Sequence, residues 1–136
     1  MNKIWLTGRI VKDLKLEHTK KETALCQFTI ATNRPVIRDG KRETDFITCV
    51  VWNKKAENLV KFQRKGNLVG VQGELRTNTY EVNGEKKYKS YVLVEEVEYL
   101  ESKKDMPSDE IEDFKKMSTK TITLETLDIN EDDYPF

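Results

Sequence analysis

The chain has 136 residues, 35% of them charged and 37% hydrophobic, which allows one domain with a concentrated core plus an appendage. No run approaches the ~18 apolar residues of a membrane span, and Met1-Asn2-Lys3-Ile4-Trp5-Leu6 lacks the apolar core of a signal peptide. A soluble, unexported protein is expected.

The formal charge of zero conceals a division. Lys and Arg outnumber Asp and Glu by 21 to 14 over residues 1–104, whereas residues 105–136 carry 3 against 10. A basic domain fits a polyanionic partner, and an acidic tail fits either a basic protein or the domain's own binding site.

The first strand pattern runs from Asn2 to Val11, where Ile4, Leu6 and Ile10 alternate with Lys3, Trp5 and Arg9 until Gly8 marks a bulge or bend. Lys12 to Glu22 is polar and reads as a loop or short edge strand. His18 stands in it without a second ligand at metal spacing and reads as solvated. Thr23 to Thr32 alternates again, with Ala24, Cys26, Phe28 and Ile30 inward and Leu25, Gln27 and Thr29 outward. Asn33 to Thr44 holds Pro35, the turn pair Asp39-Gly40 and the cations Arg34, Arg38, Lys41 and Arg42, a pattern that predicts a basic hairpin arm.

That arm leads into Asp45-Phe46-Ile47-Thr48-Cys49-Val50-Val51-Trp52, the stretch on which the functional reading turns. A period of two puts Ile47, Cys49 and Val51 on an inner face and Phe46, Thr48, Val50 and Trp52 on the other. An outward face with an aromatic at each end and cations nearby suits the stacking of bases. Two aromatics on one strand also suit a strand buried on both faces, so the surroundings must decide between the readings.

Asn53 is expected to cap a short helix from Lys54 to about Gln63, with Ala56, Leu59 and Val60 inward and Gly66 ending it. Asn67 to Arg76 returns to strand, and Gly70 and Gly73 mark places where it bends or another backbone approaches. Asn83-Gly84 then predicts a hairpin whose arms bring Tyr80 near Lys86, Lys87 and Lys89, and Val92, Leu93, Val94, Val97 and Leu100 complete the last strand. Five strands with one short helix between the third and fourth give an all-β five-stranded OB-fold barrel, a fold whose face and loops commonly take oligonucleotides. Cys26 and Cys49 fall at inward positions without CxxC spacing, which predicts buried thiols in a reducing cytoplasm, no metal and no redox motif.

Beyond Lys104 the composition changes. An OB domain over 1–104, a disordered linker over 105–129 and an acidic tip over 130–136 are expected. In the tip, Glu131, Asp132 and Asp133 precede Tyr134, Pro135 and Phe136. A terminal aromatic with a free carboxylate suits an apolar pocket on a partner protein, and the acids suit a basic rim around it.

Taken together, Asn2-Lys3-Ile4 with Gly8-Arg9, the run Phe28-Thr29-Ile30-Ala31-Thr32-Asn33-Arg34, Asp45-Phe46-Ile47 with Val51-Trp52, Ala56-Glu57, Arg64-Lys65-Gly66 and Gly73-Glu74-Leu75-Arg76-Thr77 resemble bacterial and bacteriophage single-stranded DNA-binding proteins. The terminal Asp132-Asp133-Tyr134-Pro135-Phe136 resembles their acidic tip. The resemblance covers roughly residues 1–100 and the last six. It implies a cytoplasmic homotetramer, from a bacterial cell or a phage-infected host, that binds and protects single-stranded DNA whatever its sequence during replication, recombination and repair. The tip would recruit other genome-maintenance proteins. Phe46, Trp52 and Tyr80 match the family's base-stacking positions, and Lys3, Arg34, Lys54, Lys65 and Arg76 match positions where cations accompany the phosphates.

Val36 beside Pro35 stands where the family often has a further stacking aromatic, which leaves Arg38 to supply charge there. Trp5 stands at a usually aliphatic place and fits a strand edge or subunit contact. Neither a cofactor nor a membrane is implied. No His/Asp/Ser set, metal spacing or phosphate loop supports an enzyme. An interaction hub with an unused nucleic-acid face and an RNA-binding OB protein are the competing readings.

Overall fold

A computed structural model describes residues 1–101 and Ile129. The expected linker apart from Ile129, and the expected tip Glu131 to Phe136, lie outside the described residues. Six strands and one helix follow in the order β1 (Ile4–Ile10), β2 (Glu17–His18), β3 (Ala24–Arg38), β4 (Lys41–Trp52), α1 (Asn53–Phe62), β5 (Leu68–Val82) and β6 (Glu85–Tyr99). The sheet runs β1-β5-β6-β4-β3-β2, and pairing of Arg9 and Ile10 in β1 with Ala31 and Ile30 in β3 closes it into a barrel. This is the expected OB-type barrel, with the two-residue β2 added as an edge along Leu25 and Ala24.

The inward alternation holds along the chain. Ile10, Cys26, Phe28, Ile30, Cys49 and Val51 meet Val69, Val71, Val92 and Val94 in one buried core. Ala56 and Leu59 of α1, both fully buried, join that core, and Val60 packs at its margin. The helix begins differently from expectation. Trp52 is its N-cap in an extended conformation with no side-chain cap bond, and Asn53 turns the chain through a positive φ of 60°. Asparagine tolerates that left-handed geometry at small cost, so the residue redirects the backbone instead of capping it.

Two glycines allow neighbouring backbones to close in. A Cβ on Gly73 would lie 2.0 Å from the Leu93 carbonyl oxygen, at the register shift between Gln72 and Gly73, and one on Gly8 would lie 2.6 Å from the Ala31 carbonyl oxygen. Gly70 meets only ordinary contacts. Arg9, expected to face outward, is buried. Its Nη1 donates to the Gly66 carbonyl at 2.9 Å and to Glu101 Oε1 at 2.5 Å, and the same carboxylate oxygen accepts from the Leu68 N–H at 3.1 Å. The ion pair ties the chain just after β6 to the end of β1, and the Leu68 hydrogen bond ties it to the start of β5.

Both long hairpins turn through two-residue loops with positive φ at each position, Asp39-Gly40 (51° and 73°) and Asn83-Gly84 (51° and 80°). That is the geometry a right-twisted hairpin requires. Pro35 does not end β3. It falls within a register shift between Asn33 and Ile37, after which pairing resumes at Ile37–Arg42 and Arg38–Lys41.

Candidate nucleic-acid interface

Register places the predicted platform on the outside of the barrel. Leu25 lies opposite Trp52, Thr29 opposite Thr48 and Ala31 opposite Phe46 across β3 and β4, while Val50 lies beside Leu93 in the parallel pairing of β4 with β6. Directly paired residues share a face, so Leu25, Val50, Trp52, Tyr91 and Leu93 form a second apolar cluster, separate from the barrel core. Ile129 packs against this cluster.

The two strand aromatics differ in setting. Trp52 is only 6% exposed and forms part of the floor, whereas Phe46 is half-buried at the other end of the face. Phe46, Thr48, Leu75, Ser90 and Tyr91 line an open groove of about 320 Å³ together with Ile4, Leu6, Ile47 and Val92 from the barrel's inner face. Tyr80 stands on the outer half of the β5–β6 hairpin, opposite Lys87, with the Lys89 Nζ 5.2 Å from its ring centroid. A cation over a ring face is favourable.

The predicted cations divide into two groups. Lys54, Lys65, Lys86 and Lys87 are exposed and form no ion pair among the described residues. Three others are already paired: Lys3 Nζ with Glu95 at 2.9 Å, Arg76 with Glu74 at 2.9 Å, and Arg34 with both Asp45 and Glu43. The Arg34 fork donates to both Asp45 oxygens, at 3.0 and 2.9 Å, and to Glu43 at 2.6 Å. Hydrogen bonding by Arg34 holds the Asp45 carboxyl below its usual range and raises the guanidinium further. Arg34 thus serves first to fix the base of the arm. Arg38 pairs in register with Lys41 at its end.

The residues missed by sequence reasoning are Leu25, Tyr91 and Leu93. Leu25 carried a signal, being an apolar residue at an outward position. Burial raises the Cys26 thiol to about 11 and Cys49 higher still, which makes both inert packing residues. Among the described residues no group of three or more His, Cys, Asp or Glu side chains converges on a metal-sized site, and no helix is long and apolar enough to cross a membrane.

The family model of the single-strand binding protein family matches residues 1–100. The chain belongs to that family. It is 46% identical over 105 residues to "Single-stranded DNA-binding protein 3" of Listeria innocua, covering 76% of this chain and 66% of that one. The corresponding match in Bacillus cereus is 45% identical over 103 residues and covers 61% of its length, so the chain spans about two thirds or less of these relatives. The single-stranded DNA-binding protein of Streptococcus pneumoniae is 32% identical over 155 aligned positions, covering 100% of this chain and 99% of that one. Among solved structures, the Plasmodium falciparum SSB in complex with single-stranded DNA superposes with a TM-score of 0.66 at 28% identity, covering 74% of this chain and 96% of that one. These relatives are named as binding proteins, and none is named as an enzyme.

Proposed function

We propose that the outer face of β3, β4 and β6, with the flanking hairpins, binds single-stranded DNA without reading its sequence. The observation that supports this most strongly is the pairing of an apolar, aromatic floor outside the barrel with exposed lysines that have no ion-pair partner among the described residues. Phosphates neutralised by Lys54, Lys65, Lys86 and Lys87 release counterions, so affinity falls as salt rises. Bases stack on Phe46, Tyr80 and, once its surroundings open, Trp52, each contributing about 1–3 kcal/mol whatever the base. Duplex DNA hides its base faces and competes only through phosphate contacts.

The family supports the wider reading as well. A cytoplasmic protein would hold exposed single strands during replication, recombination and repair, and the tip from Glu131 to Phe136 would recruit partner enzymes. Domain limits at 104 and 129 follow from the change of composition. A homotetramer is supported by the side of β1 away from β5, which pairs with β3 only at Arg9 and Ile10, and by Trp5, 76% exposed on that strand. An edge strand with an exposed tryptophan suits a second copy.

Anisotropy of a labelled oligo-dT, competed by unlabelled single-stranded DNA, RNA and duplex at two salt concentrations, tests the proposal. Preferential displacement by single strands together with weakening by salt is expected. Failure to bind oligo-dT at low salt would leave the interaction-hub reading, and stronger displacement by RNA would favour the RNA-binding one.

A further inference from the structure

Helix α1 begins at the floor and ends in a second aromatic patch. Trp52 is its N-cap and Phe62 its last residue, about 15 Å further on at the rise of an α-helix. The Phe62 ring centroid lies 6.5 Å from that of Tyr99 with the planes tilted by 48°, and Phe62, Tyr99 and Leu100 are 49%, 41% and 44% exposed. We propose that Phe62 and Tyr99 form a second stacking station for a single strand, reached from the floor along α1. The proposal rests on the DNA-binding reading of the floor.

Charge selects the occupant. Lys61 holds its Nζ 5.2 Å from the Phe62 centroid, and Arg64 and Lys65 follow the helix directly, exposed and without an ion-pair partner among the described residues. Along the helix Lys54, Asn58 and Lys61 are spaced four and three apart, which aligns them between Trp52 and Phe62. Glu57, the single carboxylate of α1, flanks this line and is outnumbered by the cations. The acids near the end of β6 are engaged elsewhere, since Glu98 lines the groove beside Trp5 and Glu101 is committed to Arg9.

A polyanion is therefore attracted, whereas the same patch on a second copy would bring like charges. An acidic peptide would use the cations but gains from the rings only where it carries apolar side chains. A single strand presents a phosphate and a base face at every nucleotide, so it engages both features at once. Binding at the floor makes the step to Phe62 intramolecular, and the second station adds affinity only for a strand long enough to reach it.

Length dependence tests this on the full chain. Oligo-dT of about 6 nucleotides, near the lower limit of an OB site, is compared with oligo-dT of about 16, near the upper one. Phe62→Ala should weaken the longer by about fivefold or more and leave the shorter unchanged, while Phe62→Tyr, which keeps a ring, should retain both. Lys61→Gln, at an exposed position outside the packing, should lower the salt slope for the longer oligonucleotide by about 0.7. Affinities unchanged in Phe62→Ala with the slope unchanged in Lys61→Gln would overturn the proposal. So would an equal loss at both lengths in Phe62→Ala, which would make Phe62 a packing residue of the helix. Poly-glutamate binding lost in Phe62→Ala, with both oligonucleotides unaffected, would overturn it in favour of an acidic protein partner. Phe46→Ala should weaken both lengths and keeps the two readings apart. An unaltered chain that binds neither oligonucleotide would defeat the DNA-binding reading itself, and the second station with it.

Discussion

Phe46 and Trp52 share one face of one strand but have different work to do. Trp52 lies in the floor with Leu25 directly across from it, so replacing it removes packing as well as a stacking surface. Phe46 is half-buried beside a groove, and its truncation separates the two effects better. Phe46→Ala should weaken oligo-dT binding by about 1–3 kcal/mol, roughly fivefold to 150-fold, with a smaller loss in urea-unfolding stability. Equal binding by the variant would place stacking elsewhere. The alternation of Ile47, Cys49 and Val51 with Thr48, Val50 and Trp52 made this strand legible, because the two faces differ in polarity or size. Tyr91-Val92-Leu93-Val94 is apolar at every position and buried on both faces, so no alternation showed that Tyr91 and Leu93 belong to the outer floor. At Asn53 two habits of one residue competed, helix capping and the left-handed turn, and local sequence does not separate them.

At the scale of the element, the two hairpin arms were foreseen from Asp39-Gly40 and Asn83-Gly84, since a two-residue turn with positive φ strongly favours such pairs. What holds the arms is less visible in sequence. Arg34 reads as a phosphate contact until Asp45 and Glu43 are seen on it, across the hairpin and eleven and nine positions away. The Asp45 carboxyl should titrate below the ordinary carboxylate range by NMR, and Arg34→Ala should bring it back. Because the folded value is the lower one, the contribution of this pair is present above the ordinary carboxylate range and is lost as pH falls through the depressed value. A normal Asp45 titration in the native chain would mean that the clamp is not populated. On the other arm, Gly73 lets β5 and β6 approach at a bulge, where a Cβ would stand 2.0 Å from the Leu93 carbonyl oxygen. No side chain can yield there, so Gly73→Ala should lower the unfolding free energy from urea titration by more than the about 0.5 kcal/mol of a typical surface change. Gly70→Ala, meeting only ordinary contacts, serves as the control.

The whole molecule is a basic barrel followed by an acidic segment, and the charge division in the sequence expressed that plan before any coordinates did. The barrel offers two distinct surfaces, the floor around Trp52, proposed to take DNA, and the side of β1 that carries Trp5, proposed to take a second copy of the chain. Photocrosslinking tests that assignment most directly. Oligonucleotides carrying 5-iododeoxyuridine are irradiated with the full chain at low salt, and the adducts are mapped by mass spectrometry. Adducts on Phe46, Trp52, Tyr80 or Tyr91 are predicted. Adducts confined to Trp5, Phe62 or Tyr99 would put the DNA on another face and contradict the account.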